Sequence, residues 1–256
     1  MKIAVITGAS SGIGREFTLQ ATANEAFDEV WVIARRADRL EALKNELNVP
    51  VRVLPMDLTD PQCLQNYEAL LQTEQPQVSL LINAGGFGKF GRYDEISLQD
   101  CMNMIELNCK ALVAMTQITL PYVEEGGRII QVDSLSAFQP VPYLNVYAAT
   151  KAFVLSYSRG LRAELKARNI RVLAFCPGWV KTEFFDHAEQ TSKSAVVYFN
   201  QIFTPQEVVK AALKALKKGK AVCVPGWRIK LQVLGVKLLP TSWVIKIWLK
   251  QQKKGI

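Results

Sequence analysis

The sequence predicts an α/β protein: a doubly wound parallel sheet in a single domain, followed by a basic amphipathic helical extension. Three observations predict it. Seven short apolar runs rich in β-branched residues alternate with stretches of helical period. A glycine-rich turn follows the first run and opens a helix. The basic charge is gathered at one end, with 12 Lys/Arg against Glu207 alone in residues 205–256, and 19 against 22 acids in residues 1–204.

The runs are IAVIT (3–7), VWVIA (30–34), VRVLPM (51–56), VSLLIN (78–83), RIIQV (128–132), RVLAFC (171–176) and AVCVP (221–225). Runs that are apolar throughout read as strands covered on both faces, and strand, helix, strand order makes right-handed crossovers into a parallel sheet. The ligand crevice of such a sheet lies at the carboxyl ends of its strands. Each motif below falls just after one of these runs.

At 256 residues, with 49% hydrophobic and 21% charged side chains and no low-complexity tract, the chain is expected to form one globular domain over residues 1–225. Residues 226–256 form the extension. Cys63, Cys101, Cys109, Cys176 and Cys223 are scattered without a CxxC pair, which suits buried thiols in a reducing compartment. His187 is the only histidine, so no metal site is expected. The N-terminal stretch meets Gly8 too soon for a signal peptide, and the expectation is a cytoplasmic protein. The net charge of +8 belongs to the tail, which argues against a nucleic-acid-binding body.

TGASSGIG, Thr7 to Gly14, is the glycine-rich turn. Gly8, Gly12 and Gly14 let the backbone approach a pyrophosphate, and the amides of Ser10, Ser11 and Ile13 lie at a helix N-terminus that favours anions. Dinucleotide sites place an acid at the end of the second strand to bind the ribose of NAD. Here that position is Ala34, followed by Arg35 and Arg36, the charge that suits the 2′-phosphate of NADP(H). The competing reading is that both arginines are solvated.

In NVYAATK, Tyr147 and Lys151 stand at i and i+4 on one helix face. A phenol titrates near pH 10. The ammonium and an oxidised nicotinamide are expected to lower that value and make Tyr147 a general acid or base for carbonyl and alcohol chemistry. Ser134, 13 residues earlier and just beyond RIIQV, can polarise the substrate carbonyl from the same crevice.

With these residues the chain resembles the short-chain dehydrogenases/reductases, which carry a Rossmann fold, and the likeness runs over roughly residues 1 to 225 with every motif in order. The resemblance implies a catalytic set of Asn108, Ser134, Tyr147 and Lys151, with Asn108 holding a proton-relay water. It implies cofactor contacts from Asp57 and Leu58 in MDLTD and from Asn83, Ala84 and Gly85. On the nicotinamide side it implies contacts from Pro177, Gly178, Val180 and Thr182, with Tyr147 and Lys151 on the ribose. The chain departs from the family at Asp133, where a second serine is frequent, and in having the extension. Taken singly these residues also have structural readings as turn, cap or packing groups.

Trp179, Phe184, Phe185, Tyr198, Phe199 and Phe203 follow the nicotinamide motif, and Phe87, Phe90, Phe138 and Tyr143 flank the opposite wall. Such lining suits an apolar carbonyl or alcohol substrate, steroid-like or acyl. The longest uncharged runs of the extension are 231–236 and 238–245, too short to span a membrane. It can lie on an anionic membrane surface, cover the pocket, or pack on a second subunit of a homo-oligomer. The function expected is an NADP(H)-dependent ketone/alcohol oxidoreductase. The alternatives are a catalytically silent nucleotide-binding regulator and a membrane-recruited lipid carbonyl reductase.

Overall fold

The first apolar run forms strand β1 (Lys2–Thr7), and the glycine turn leads into helix α1 (Gly12–Asn24). The computed structural model describes residues 1–189, 191 and 195–253, so the last three residues of the extension lie outside the described residues. Next come β2 (Glu29–Ala34), α2 (Ala37–Lys44), β3 (Val51–Pro55), α3 (Pro61–Glu74) and β4 (Gln77–Asn83). Then follow α4 (Leu98–Ile105), α5 (Leu112–Thr119), β5 (Val123–Val132), α6 (Asn145–Glu164) and β6 (Arg171–Phe175). The second half closes with β7 (Trp179–Val180), α7 (Phe184–Ala188), β8 (Ile202–Phe203), α8 (Pro205–Lys217) and β9 (Val222–Cys223). The extension supplies α9 (Trp227–Leu238) and α10 (Thr241–Gln251).

All seven predicted strands pair in one parallel sheet of order β3-β2-β1-β4-β5-β6-β9. From β1 the chain runs outward to β3, then returns to add β4 on the other side of β1. That reversal opens a crevice at the carboxyl ends of β1 and β4. The short pairing of β7 with β8 was not foreseen, because two-residue strands carry no readable period.

Alternate strand residues serve opposite faces, and both faces are covered. Ala4, Ile6, Val30 and Val32 join Phe17 of α1, Leu40 of α2 and Val208 of α8 in one cluster. Ile3, Val5, Trp31 and Ile33 join Tyr67 of α3, Met115 of α5 and Leu161 of α6 in the other. This is why the strands read as unbroken apolar runs.

Helix starts follow local chemistry. Asp60 accepts from the amide of Gln62 ahead of Pro61, and Thr204 and Glu207 form a reciprocal capping box around Pro205. Among the described residues, no helix is long and apolar enough to cross a membrane.

The extension is docked on the body. Ile229 and Val233 of α9 pack with Leu155, Cys176 and Val224. On α10, Trp248 packs with Phe90, Tyr147 and Ala195, and its indole N–H donates to Pro142 O at 3.0 Å. Buried Gln252, just past α10, accepts from the amides of Val197 and Tyr198 at 2.8 and 3.0 Å. Replacing Trp248 by Ala removes this anchor, and urea unfolding should show a loss of about 3 kcal/mol. A variant with the wild-type midpoint would mean that α10 contributes no docking energy.

Candidate active site

At the crevice the backbones of two turns touch. Gly8 has φ of +67°, and a Cβ there would lie 2.7 Å from the carbonyl oxygen of Ala84. A Cβ on Gly14 would lie 2.2 Å from the oxygen of Gly8. Neither position has room for a side chain. The hydroxyl of Thr7 accepts from the amides of Ala84 and Gly85 at 3.0 and 3.1 Å, tying the end of β1 to the end of β4. The N-terminus of α1 therefore faces an open cradle floored by Gly8, Ser10, Ser11, Gly12, Ile13 and Gly14. Such a cradle fits a pyrophosphate.

The end of β2 carries no acid. Arg36 donates to the hydroxyls of Ser10 and Ser11 at 3.1 and 2.7 Å, and to Glu183 Oε2 at 2.9 Å. Arg39 pairs with the other oxygen of Glu183. The two arginines, Arg36 foremost, hold the Glu183 carboxyl below its ordinary value. Arg35 is exposed and stands 4.0 Å from Asp57. Burial works against ionisation of Asp57, but hydrogen bonds from the amide and hydroxyl of Thr59 outweigh it and keep its pKa low. This cluster of arginines and serine hydroxyls suits a 2′-phosphate on a dinucleotide ribose. Sequence reasoning missed Arg39 and Glu183. Arg39 lies in the first turn of α2, three residues after Arg36, and was open to detection; Glu183 is 147 positions from Arg36 and became a neighbour only through the fold.

Ser134, Tyr147 and Lys151 line the same cavity, of about 940 Å³. Tyr147 is buried, and burial pushes its phenol above the ordinary value, with a hydrogen bond from Ser134 opposing the shift. The expected lowering by Lys151 is absent from the protein groups alone. The ammonium lies 5.7 Å from the centroid of the tyrosine ring and donates to Val132 O at 2.9 Å. It is itself buried, which lowers its own pKa and weakens the charge that was to act on the phenol.

Of the predicted catalytic and cofactor-binding residues, Asn83 and Asn108 do not line the cavity among the described residues. Asn83 is buried in the sheet, donating to Thr116 and Gln131 at 3.0 Å each. Asn108 sits in a π-helical stretch, Glu106–Ala111, between α4 and α5. Its amide accepts from Phe87 N at 3.0 Å and donates to Phe87 O and Thr150 at 2.9 and 3.1 Å. Both ends of the side chain are thus engaged in clasping the loop after β4 to α6, one residue before Lys151. The other predicted positions, including Leu58, Pro177, Gly178, Val180 and Thr182, do line the cavity.

Asp133 is the group whose setting the sequence did not reveal. Only 2% exposed, it accepts from Ser134 N at 2.8 Å and from the Cys176 thiol at 3.5 Å. Burial pushes its pKa up to about 7, with Lys151 and then the Ser134 amide opposing the shift. A strand-end aspartate ordinarily reads as a turn residue, so the signal was its departure from the family pattern.

The far wall is aromatic. Phe87, Trp179, Phe184, Phe185 and Tyr198 line it, and Gln232, Trp248 and Gln251 of the extension close it. Phe90 is fully buried behind this wall, with Trp179 and Phe184 packed edge-on against it. Phe199 packs edge-on against Trp179, while Phe138 and Phe203 pack with the core. His187 lines the cavity, and no group of three metal-ligating side chains occurs among the described residues.

A sequence profile described as short chain dehydrogenase matches residues 2–193. The chain belongs to the short-chain dehydrogenase family. It is therefore an oxidoreductase acting between CH–OH and C=O. It is 34% identical over 185 residues to the serine 3-dehydrogenase of Agrobacterium fabrum, covering 70% of this chain and 72% of that protein. A short-chain dehydrogenase from Sphingobium yanoikuyae, solved in complex with NADPH, superposes with a TM-score of 0.80 at 29% identity over 93% of this chain and 92% of that one. The bulky-bulky ketone specific alcohol dehydrogenase of Comamonas testosteroni superposes with a TM-score of 0.75 at 27% identity over 93% and 91%. The dehydrogenase fold thus extends beyond the profile match and covers most of the chain.

The setting of Asp133 has a consequence for stability. Its folded pKa of about 7 exceeds the ordinary 3.8, so its contribution is complete below about pH 4 and is lost as pH rises to 7. The melting temperature of the wild type relative to Asp133→Asn should fall between about pH 4 and pH 7 and level off above it. Parallel curves would show that the carboxyl titrates normally.

Proposed function

We propose that the protein is an NADP(H)-dependent oxidoreductase that interconverts a ketone and a secondary alcohol on a bulky, largely apolar substrate. The observation that carries this reading is a single cavity that joins the glycine cradle and Arg36 to Ser134, Tyr147 and Lys151, and then to an aromatic wall. The NADPH complex of the Sphingobium relative supports the cofactor, and the specificity of the Comamonas relative for bulky ketones supports the substrate class. Serine, named for the Agrobacterium relative, is small and zwitterionic and matches this lining poorly.

When bound, the nicotinamide supplies or takes up a hydride at the substrate carbon. Tyr147 transfers the proton to or from the substrate oxygen, and Ser134 donates a hydrogen bond to that oxygen. The Tyr147 phenol is protonated at neutral pH, the form that donates in ketone reduction, and burial, by raising its pKa, makes it a weaker acid than a free phenol. Lys151, held by Val132 O, would have its remaining N–H groups for the cofactor ribose. Asn108 is a positioning residue, because it holds the Gly86–Phe87 backbone over Lys151. The turn at Gly8 to Gly14 and the α1 amides would hold the pyrophosphate, and Arg36 with Ser10 and Ser11 would hold the 2′-phosphate.

We read residues 1–225 as the catalytic body and residues 226–256 as an extension that roofs its pocket. A homo-oligomer through α4 and α6 is supported by the exposed apolar side chains of Met102, Ile105 and Phe153. Five free cysteines support a cytoplasmic setting, and the basic extension supports a peripheral membrane contact.

Tyr147→Phe should lower turnover by about 10²- to 10⁴-fold while NADPH affinity stays within about twofold. Steady-state assay with bulky ketones and a fluorescence titration of NADPH check this, and wild-type turnover in the variant would overturn the role. Arg36→Ala should weaken NADPH by about 10- to 100-fold, the worth of roughly two charge-assisted hydrogen bonds, and leave NADH almost unchanged. Equal losses for both cofactors would show that Arg36 serves the fold and not the phosphate.

A further inference from the structure

Helices α9 and α10 are apolar on two sides, and only one side is used by the body. The inner sides bury Ile229 and Val233 on α9, and Val244 and Trp248 on α10. On the outer side of α9, Trp227, Leu231, Leu234 and Leu238 recur at helical intervals of four, three and four and form one stripe. On α10, Trp243 and Ile247 repeat the arrangement one turn apart. These six side chains are between 47% and 75% exposed. A helix that only had to dock on the body would carry polar residues there.

The charge around the stripes is of one sign. Residues 226–256 hold seven Lys/Arg and no Asp/Glu. At 100° per residue, Lys230 and Lys237 flank the α9 stripe on one side and Arg228 on the other, while Lys246 and Lys250 lie beside the α10 pair. All five are exposed. Large apolar side chains rimmed by cations, with no acid to pair them, match the boundary of an anionic bilayer, where acyl chains lie beneath phosphate headgroups. A second copy of the chain matches poorly. A two-fold contact would set each stripe against its own image and bring like charges together.

We propose that α9 and α10 together form a docking face for the surface of an anionic phospholipid bilayer. This names the partner of the extension and rests on reading that extension as a peripheral contact. The same helices line the cavity with their inner sides, through Gln232, Trp248 and Gln251. Trp248 also holds Pro142, three residues before α6, and Gln252 holds the backbone of Val197 and Tyr198. Docking therefore places the roof of the substrate cavity directly against the lipid, the phase in which a bulky apolar ketone concentrates.

The test is co-sedimentation of the full chain with phosphatidylcholine vesicles, with and without phosphatidylglycerol. Binding should need the anionic lipid and fall as salt is raised. The pair Leu234→Ser and Leu238→Ser should weaken binding by at least about tenfold, since each leucine buries most of its side chain in the lipid boundary. The pair Lys230→Gln and Lys246→Gln, which leaves apolar packing untouched, should weaken binding to the anionic vesicles by at least about tenfold. NADPH affinity and turnover of a water-soluble ketone should match the wild type in both, which separates failure of docking from failure of the enzyme reading. No pelleting with anionic vesicles, equal pelleting of wild type and both variants, or a wild-type dimer that the leucine pair dissociates would overturn the proposal.

Discussion

The site depends on one backbone contact, between the turn after β1 and the end of β4. Gly14 lies so near Gly8, and Gly8 so near Ala84, that a single methyl group has no place at either glycine. Thr7 fastens the two strand ends by accepting from Ala84 and Gly85. This closeness aims the first turn of α1 into the crevice where the sheet reverses direction. It also brings the loop after β4 beside the N-terminal half of α6. The phosphate cradle and the tyrosine–lysine pair are thereby two ends of one cavity.

Around that cavity, burial sets the chemistry more than pairing does. Tyr147, Lys151 and Asp133 are all nearly enclosed, and desolvation is the largest influence on each. It moves the phenol and the carboxyl up and the ammonium down, so every one of them is drawn towards its neutral form. The charges that remain are fixed by backbone partners: Val132 O for Lys151, and Ser134 N for Asp133. Asn108 belongs to the same frame, since it ties the Phe87 backbone to Thr150, the residue before Lys151.

The extension completes the pocket from outside the sheet. Trp248 reaches Pro142 on the approach to α6, and Gln252 holds the segment around Tyr198, so the roof is linked to both walls. Its inner face is used for packing, while its outer face leaves large apolar side chains in solvent.

Much of this was legible in the residues themselves. The seven strands were readable because a sheet covered on both faces needs apolar side chains at every position. The glycine turn and the Tyr147–Lys151 pair were readable because their spacing is local, a tight turn in one case and one helical period in the other. What depends on separation in sequence was not. Glu183 beside Arg36, the thiol of Cys176 on Asp133, and the turning of Asn83 into the sheet are contacts between elements far apart along the chain. The direction in which Tyr147 is shifted also escaped, because the sequence shows a neighbouring charge but not the depth of burial that opposes it. The sequence by itself determined the order of elements and the local spacing of the glycine turn and the Tyr147–Lys151 pair, since both follow from local period and residue type. Only the tertiary structure decided which of those groups share a cavity, how dry it is and what roofs it, because burial and long-range contact exist only once the chain has closed on itself.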